Sequence, residues 1–256
     1  MKDTIFDLTG RTTLVTGGSK GIGRAIATLF AQAGAELFLC SRHEDELAAT
    51  AAEIRRAANT RVAYLAADLT IRDDVLRLAD AALRTMGKVD ILVNNAGANL
   101  PQAIHEIRDD DWDRLLQINL TAAMALTRAI VPDMKRRRWG RVLFLSSIMG
   151  LASTPGRNAY SAAKAALLGL ARACALDLGP YNITVNCLAP GPILTDMPMA
   201  ILSPEQKEAL AARTAFNRWG RPEEVAGPAL LLASEAGSYI TGTVLVVDGG
   251  ALARVF

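Results

Sequence analysis

Tyr160 and Lys164 are the two side chains whose types and spacing best fit acid–base chemistry. Residues four apart lie on the same face of an α-helix, so the ammonium would lie beside the phenol. A nearby cation favours the phenolate and moves the phenol pKa from about 10 toward neutral pH, where general acid–base catalysis works best. Ser147, thirteen residues upstream, adds a hydroxyl for the same reacting oxygen. An isolated Tyr-x-x-x-Lys pattern is more often a pair of solvated helix positions.

A glycine-rich segment near the start of the chain has the composition of an anion-binding turn. The apolar run 13–15 stops at Gly17, and a helical pattern follows Gly21 and Gly23. Glycines permit positive φ and let a pyrophosphate approach the backbone, while the N–H groups of the new helix face the anion. The alternative is a glycine-rich turn between a strand and a helix that binds nothing.

Alternating short apolar runs and longer helical patterns make up the rest of the chain. The predicted strands are Thr12–Thr16, Glu36–Cys40, Val62–Ala66, Ile91–Asn94, Val142–Ser146, Thr184–Leu188 and Val244–Val247. The main predicted helices are Glu44–Ala58, Arg72–Met86, Asp110–Lys135, Asn158–Leu178 and Glu223–Leu232. This alternation predicts an α/β fold, a doubly wound parallel β-sheet of Rossmann type with helices on both faces. Ligands of such sheets bind beyond the carboxyl ends of the strands.

Length and composition agree with one domain over residues 1–256. The chain is 51% hydrophobic and carries a formal net charge of +2. It has no run of 18 apolar residues, and Met1–Thr4 lacks a hydrophobic signal region. We therefore expect a cytoplasmic protein that does not bind a membrane.

Nucleic-acid binding, a hydrolase triad and a metal site are all disfavoured. The basic run Lys135–Arg138 ends a predicted helix, where cations suit the helix dipole, and no second basic cluster accompanies it. His43 and His105 are neither paired nor near a nucleophile motif. The three cysteines are widely spaced in apolar sequence, which is typical of reduced core thiols.

Taken together, the motifs resemble the short-chain dehydrogenases/reductases over essentially the whole chain. The matching pieces, in order, are Thr16-Gly17-x-x-x-Gly21-Ile22-Gly23, Asp68-Leu69, Asn94-Asn95-Ala96-Gly97, Asn119, Ser146-Ser147, Tyr160-x-x-x-Lys164, Pro190-Gly191 with Thr195, and Val247-Asp248-Gly249-Gly250. Several signals in one order and spacing are far more specific than any of them alone.

The resemblance implies a role for each catalytic candidate. Tyr160 would exchange a proton with the carbonyl or alcohol oxygen, and Ser147 would hold that oxygen. Lys164 would lower the pKa of the tyrosine and bind the nicotinamide ribose. Asn119 would relay protons to Lys164 through water; its alternative is a hydrogen bond to a neighbouring backbone carbonyl.

The resemblance also places a dinucleotide cofactor along the carboxyl ends of the strands. Asp68 and Leu69 would contact adenine, residues 95–97 would border the adenine ribose, and Thr195 would bind the carboxamide. Plainer alternatives are an Asp68 that caps the next helix and a simple turn at 95–97. The complete set is Thr16, Gly17, Ser19, Lys20, Gly21, Ile22, Gly23, Ser41, Arg42, Asp68, Leu69, Asn95, Ala96, Gly97, Tyr160, Lys164, Pro190, Gly191, Ile193 and Thr195.

The end of the second predicted strand predicts NADP(H) and makes NAD(H) less favoured. An acidic residue there would accept the ribose hydroxyls of NAD, whereas an arginine can bind the extra phosphate of NADP. The chain has Ser41 and Arg42 in that place, with Lys20 in the glycine turn as a second cation. The alternative is that both cations are solvated surface charges.

The expected reaction interconverts a secondary alcohol and a ketone of a small molecule, but two substrate branches remain open. Segments 217–224 and 242–250 resemble both the gluconate 5-dehydrogenase-like enzymes of sugar acids and polyols and the 3-oxoacyl carrier-protein reductases. Pro101-Gln102 and Ala226-Gly227-Pro228 slightly favour the first branch. A catalytically silent nucleotide-binding scaffold is disfavoured because all four catalytic positions are filled.

Two further expectations concern motion and assembly. Segment 192–214 is the least periodic part of the chain, and Met197, Met199, Ile201 and Leu202 would form an adaptable apolar cover. We expect this segment to be a substrate lid; its alternative is a fixed helical pair, since Pro204 begins a helical pattern. The resemblance implies a homotetramer, or otherwise a dimer, that pairs the helices predicted at 110–135 and 158–178.

Overall fold

The computed structural model describes residues 4–196, 199 and 202–253. Its strands are β1 (Thr12–Thr16), β2 (Glu36–Ser41), β3 (Val62–Ala66), β4 (Ile91–Asn94), β5 (Gly140–Leu145), β6 (Ile183–Pro190) and β7 (Val244–Val247). They form one sheet in the order β3-β2-β1-β4-β5-β6-β7, and every neighbouring pair is parallel. The prediction of a doubly wound parallel sheet is confirmed.

Helices cover both faces of this sheet. They are α1 (Gly21–Gln32), α2 (Glu44–Ala58), α3 (Arg72–Met86), α4 (Asp109–Leu116), α5 (Ala122–Arg137), α6 (Asn158–Leu178), α7 (Pro204–Ala212) and α8 (Pro222–Ala233). Each predicted strand and helix is present with ends shifted by a few residues, which is normal for helix and strand termini. One difference is internal: the helix predicted at Asp110–Lys135 contains a π-helical turn, Gln117–Thr121, between α4 and α5.

Two apolar clusters lie on opposite faces of the sheet, because side chains alternate along a strand. Leu14 belongs to the cluster under α3, α5 and α6, whereas its neighbour Val15 belongs to the cluster under α1, α2 and α8. Strands buried on both faces read as continuous apolar runs, and this is why their positions were predictable.

The run from α4 through α5 has one further property. Asp109–Arg137 is long and apolar enough to cross a membrane by length and composition, with a mean hydropathy of 1.3. Leu126, Ile130 and Met134 of α5 are buried in the core cluster with α3 and α6. A core helix passes the same test, so this run gives only weak evidence for a membrane span.

The chain order of the strands fixes where a ligand can bind. From β1 the chain moves outward through β2 and β3, then returns to place β4 on the other side of β1. The loops after β1 and β4 therefore diverge and leave a crevice at the carboxyl edge of the sheet. All the predicted site residues lie at or near this edge.

Candidate active site

A cavity of about 800 Å³ occupies the carboxyl edge. Its volume is within the range of small-molecule and cofactor sites. Most predicted site residues line it: Gly17, Ser19, Lys20, Gly21, Ile22, Ser41, Arg42, Leu69, Asn95, Ala96, Gly97, Ser147, Tyr160, Lys164, Pro190, Gly191, Ile193 and Thr195. The remaining four, Thr16, Gly23, Asp68 and Asn119, do not line it.

The glycine turn between β1 and α1 adopts a backbone that only glycine takes without strain. Gly17 and Gly21 have φ values of +64° and +56°. A Cβ on Gly17 would lie 2.7 Å from Asn95 Nδ2, and one on Gly23 would overlap the carbonyl oxygen of Gly17. The first turn of α1 therefore approaches β1 closely and presents its N-terminal end to the cavity, as an anion site requires.

Thr16 and Asn95 join this turn to the loop after β4. Thr16 Oγ1 accepts hydrogen bonds from the backbone N–H groups of Asn95 and Ala96, both at 3.0 Å. Asn95 Nδ2 donates to the carbonyl oxygens of Thr16 and Gly17, at 2.9 and 3.2 Å. Thr16 thus positions the two loops that border the crevice, although it does not line the cavity.

Asn119 lies beneath the same region, in the π-helical turn. Its Nδ2 donates to the carbonyl oxygens of Ala98 and Leu115, at 2.8 and 2.9 Å, and its Oδ1 accepts from Ala98 N. A Cβ on Gly97 would lie 2.6 Å from Asn119 Oδ1 and 3.4 Å from Lys164 Nζ, so Gly97 leaves the space between them open. The backbone-bonding alternative for Asn119 is confirmed, and the proton relay stays a prediction.

The three remaining catalytic candidates converge on the cavity. Ser147 follows β5, where its Oγ accepts from Met149 N, and its hydroxyl lowers the pKa of the Tyr160 phenol. Ser146, by contrast, donates to the carbonyl oxygen of Lys164 at 2.8 Å, so its hydroxyl is engaged in packing α6 against β5. This difference supports the choice of Ser147 over Ser146. Tyr160 and Lys164 come from the first two turns of α6.

Burial dominates the ionisation of Tyr160 and Lys164. Burial raises the pKa of Tyr160, while the hydrogen bond from Ser147 and the charge of Arg157 oppose that rise. Burial also lowers the pKa of Lys164 to about 8. Lys164 Nζ donates to the carbonyl oxygen of Leu145 at 2.7 Å and lies 5.5 Å from the centre of the Tyr160 ring. The influences that oppose the rise in the Tyr160 pKa come from Ser147 and Arg157, so the expectation that Lys164 lowers this pKa stays a prediction.

The adenosine end of the cavity differs from expectation at Lys20. Ser41 and Arg42 line the cavity at the end of β2, and Arg42 is exposed. Lys20 Nζ, however, lies 3.0 Å from Glu46 Oε1, and Ser19 Oγ donates to Glu46 Oε2 at 3.1 Å. Sequence reasoning missed Glu46, which the first turn of α2 brings to the glycine turn. Lys20 is therefore half of an ion pair and not a free second cation.

Only one of the two residues predicted to contact adenine reaches the cavity. Leu69 lines the cavity, but Asp68 does not. Asp68 Oδ1 accepts hydrogen bonds from the N–H and hydroxyl of Thr70, at 2.9 and 2.8 Å, and shapes the turn before α3. The cap position of α3 itself is Ile71. Asp68 therefore organises this loop from behind the cavity wall.

The opposite end of the cavity is closed by the segment after β6. Pro190 ends the strand and Gly191 follows it, Ile193 pairs with Gly220 through an isolated β-bridge, and Thr195 packs beside Gly21. α7 begins at Pro204, as the helical alternative predicted. Of the four apolar lid residues, Leu202 lines the cavity, and Met197 and Ile201 lie outside the described residues.

Residues 17–251 match the family model described as enoyl-(acyl carrier protein) reductase. Nodulation protein G of Rhizobium sp. (strain N33) is 41% identical over 246 residues, which cover 96% of this chain and 98% of that protein. The chain belongs to the short-chain dehydrogenase/reductase family.

Two further comparisons show which members of the short-chain dehydrogenase/reductase family this chain resembles. The 3-oxoacyl-[acyl-carrier-protein] reductase of Aquifex aeolicus (strain VF5) is 37% identical over 243 residues, covering 95% of this chain and 98% of that protein. A solved structure from Beutenbergia cavernae, assigned as an NAD(P)-dependent gluconate 5-dehydrogenase with bound NADP, superposes with a TM-score of 0.94 at 37% identity. It covers 98% of this chain and 100% of that one.

Membership in the short-chain dehydrogenase/reductase family establishes an oxidoreductase that acts on CH–OH and C=O groups with a nicotinamide cofactor. The cavity fits that cofactor. The glycine turn has no room for a Cβ at Gly17 or Gly23. It lies at the N-terminus of α1, where a pyrophosphate is stabilised. Lys164, a buried cation whose ammonium donates to one backbone carbonyl among the described residues, also lines this cavity.

The substrate end contains residues that the motifs of the short-chain dehydrogenase/reductase family did not reveal. Asn99, Arg114, Ile148, Met149, Arg157 and Trp219 line this part of the cavity. They come from loops and helices that are distant in sequence. Of these six residues, only Arg157 could have been found from the sequence, because it lies three residues before Tyr160 and thus near the phenol on α6.

Proposed function

We propose that this protein is an NADP(H)-dependent oxidoreductase that interconverts a secondary alcohol and a ketone. The observation that carries the proposal is the convergence of Ser147, Tyr160 and Lys164 on the cavity that the glycine turn also borders. Hydride donor and substrate carbonyl need to meet beside a proton donor, and this cavity is large enough for both.

Tyr160 acts as the acid in the reductive direction. Because burial raises its pKa, the phenol keeps its proton at neutral pH and can donate it to a developing alkoxide. Ser147 holds the same oxygen and fixes its distance from the phenol. The cofactor, when bound, supplies or accepts the hydride. Exclusion of water from the half-buried phenol strengthens the hydrogen bonds from Tyr160 and Ser147 to the reacting oxygen in the transition state.

Lys164 and Asn119 support the proton transfer. Lys164 carries a buried ammonium that a ribose diol can bind, and Asn119 lies on the other side of Gly97. A water between them would connect Lys164 to the Ala98–Asn119 hydrogen bonds and to solvent. Asn119→Ala should slow turnover more at low buffer concentration than at high buffer concentration if such a relay operates.

NADP(H) is the proposed cofactor because Arg42 is available at the end of β2 and no carboxylate occupies position 41. The gluconate 5-dehydrogenase-like structure from Beutenbergia cavernae, with its NADP, supports this choice. Glu46 weakens the argument for Lys20, since the pair neutralises that ammonium. Arg42 therefore carries most of the preference for the 2′-phosphate.

Substitution of Arg42 tests the cofactor. Charge-assisted contacts contribute about 1.5–3 kcal/mol, so Arg42→Ala should weaken NADPH binding roughly ten- to a hundredfold and hardly affect NADH. Arg56→Ala is the control, since Arg56 is an exposed arginine of α2 outside the cavity. Ser41→Asp should shift the preference toward NADH. Equal losses for both cofactors would make Arg42 structural.

The proposed substrate class is the ketone form of a sugar acid or polyol, with 3-oxoacyl carrier-protein thioesters as the alternative. The gluconate 5-dehydrogenase-like structure supports the first and the Aquifex reductase the second. A panel of 5-ketogluconate, an acetoacetyl thioester, simple diketones and bicyclic ketones with NADPH separates them. Failure to reduce any of these ketones would favour the nucleotide-binding scaffold.

We further propose that segment 192–214 is a lid, that the protein is a homotetramer and that it acts in the cytoplasm. Leu202 and Leu210 already line the cavity, so ordering this segment over a ligand would cover the substrate. Amide exchange should then show new protection in 192–214 on adding NADPH. Light scattering measures the molar mass in solution and so tests the tetramer. A mass equal to two chains would mean that the protein is a dimer.

A further inference from the structure

The wall beyond Tyr160 contains two polar side chains that the protein itself does not satisfy. Arg157 Nη1 and Asn99 Oδ1 are both buried and lack hydrogen-bond partners within the described residues. Both side chains line the cavity. A buried donor on a charged group and a buried acceptor each cost free energy when left unpaired, so their presence in the lining of one cavity requires an explanation.

The charge of Arg157 is also uncompensated. The ion pairs formed within residues 4–196, 199 and 202–253 do not include it. The carboxylate of Asp111, which also lines the cavity, accepts from Gln102 Nε2 at 2.9 Å. Asp111 therefore has an amide partner while the guanidinium beside Tyr160 has none. Arg157 therefore has no ion-pair partner within the described residues, although the carboxylate of Asp111 lines the same cavity.

Arg157 is held at a fixed place beside the reacting centre. The loop at Gln102 pairs with Arg157 through a parallel β-bridge, and Gln102 N donates to the carbonyl oxygen of Gly156 at 2.9 Å. Asn158 Nδ2 donates back to the carbonyl oxygen of Gln102 at 3.0 Å. Arg157 is also the cap residue of α6, three positions before Tyr160. Its charge is near enough to oppose the burial-driven rise in the pKa of Tyr160.

We propose that Arg157, with Asn99, forms a subsite for a substrate carboxylate and an adjacent hydroxyl group. A guanidinium binds a carboxylate through paired N–H groups, and an amide oxygen accepts from a hydroxyl. The substrate is then a keto or hydroxy carboxylic acid, with its anionic end in this subsite and its carbonyl at Ser147 and Tyr160. This inference rests on the proposed function and specifies which side chains select the acid.

A matched acid and amide test the subsite directly. 5-Ketogluconate and its carboxamide differ in the charge at one end, so the ratio of their kcat/KM values isolates recognition of the carboxylate. The parent enzyme should prefer the acid. Arg157→Gln should lower kcat/KM for the acid about ten- to a hundredfold, mainly through KM, with a loss for the amide at least tenfold smaller. Arg157→Lys should recover part of the acid preference.

Arg128→Gln is the control, because it removes one charge from an exposed position of α5 outside the cavity. It should leave the acid-to-amide ratio as in the parent. Inhibition of the parent by unreactive hydroxy acids and their amides gives a second measurement that needs no variant; stronger inhibition by the acids supports the subsite.

Three results would overturn the inference. The first is equal turnover of the acid and the amide by the parent, and the second is an equal loss of kcat/KM for both substrates in Arg157→Gln. The third is a loss confined to kcat in that variant, which would mean that Arg157 acts only through Tyr160. In each case reduction of uncharged ketones would continue, so the proposed oxidoreductase function would stand. If the parent reduces no ketone of the panel with either cofactor, the proposed function itself fails.

Discussion

The two edges of the sheet both bury charge, but they partner it differently. At the amino edge, the carboxylate of Asp90 is fully buried and is bonded to Arg137, Lys88 and the N–H of Thr12. At the carboxyl edge, Lys164 is almost as deeply buried, and within the part of the chain that the structure describes its ammonium has one hydrogen-bond partner, the carbonyl oxygen of Leu145. Neutralised charge at one edge and unneutralised charge at the other indicate structural and chemical roles, respectively.

The same contrast holds for arginines. Arg141 at the amino edge is fully buried, and its Nε and Nη2 also lack hydrogen-bond partners among the described residues, but Glu235 lies 3.6 Å away and the face of Trp139 covers its guanidinium at 4.3 Å. Arg157 at the carboxyl edge takes part in none of the ion pairs or cation–ring contacts among the described residues. A protein that compensates its charges at one edge leaves them available at the edge where ligands bind.

The largest expected effect is at Tyr160. Tyr160→Phe keeps the ring and removes the proton donor, so the rate of ketone reduction should fall about 10²- to 10⁴-fold while NADPH affinity is kept. Steady-state kinetics and fluorescence titration measure the two quantities. Tyr181→Phe, on the turn after α6 and outside the cavity, is the matched control. Turnover above a tenth of the parent would remove Tyr160 from the catalytic assignment.

Asp90 tests the amino edge. Asp90→Asn leaves Arg137 and Lys88 without their shared carboxylate, and breaking a buried ion pair costs about 3–5 kcal/mol in the free energy of unfolding. Urea denaturation measures that loss. The kcat of the folded enzyme should stay near the parent value, because Asp90 lies at the edge opposite the cavity.

Asp80→Asn is the control for Asp90. It removes a carboxylate from the exposed pair with Arg84, and such pairs contribute about 0–1 kcal/mol. A similar small effect at both positions would show that the amino edge is not the structural counterpart we infer.

The sequence predicted the sheet more completely than the site, for a physical reason. A strand buried on both faces must be apolar along its length, and this local property located β1, β2, β4, β5 and β6; the edge strands β3 and β7 are only partly buried. The π-helical turn around Asn119 escaped prediction, and so did the bonds of its Asn119 side chain to Ala98, because contacts with a distant loop residue leave no local pattern in the sequence. Glu46 and Arg157 escaped prediction because their importance depends on their neighbours in the fold. Glu46 lies beside the glycine turn, and Arg157 lies near Tyr160.

Lys164 tests the carboxyl edge by its pH dependence. Because its folded pKa is about 8 and its ordinary value is 10.5, the unfolded state binds more protons between these values. The cost of the buried charge is therefore complete below about pH 8 and is relieved as the pH rises toward 10.5.

The parent should accordingly gain stability relative to Lys164→Met over that interval, by up to about 3 kcal/mol. Urea denaturation of both proteins from pH 7 to 10.5 measures the difference. Lys135→Met, whose ammonium lies over the Tyr181 ring outside the cavity, gives the baseline for removing a lysine. A difference that does not change with pH would mean that Lys164 is hydrated in the folded protein.

The smallest expected effect is at Glu46, whose pair with Lys20 is the exposed counterpart of the Asp90 pair. Lys20 and Glu46 side chains are 53% and 38% exposed, so solvent screens their attraction. Glu46→Gln keeps an acceptor for Ser19 and frees the ammonium for a 2′-phosphate. NADPH should then bind about two- to fivefold tighter, with NADH nearly unaffected. Isothermal titration of both cofactors, with Glu46→Gln/Lys20→Gln as the control that abolishes the gain, measures this. Weaker NADH binding with unchanged NADPH binding would instead mean that Glu46 accepts hydrogen bonds from the ribose hydroxyls. Glu46 of α2 would then take the place of the carboxylate that is missing at position 41.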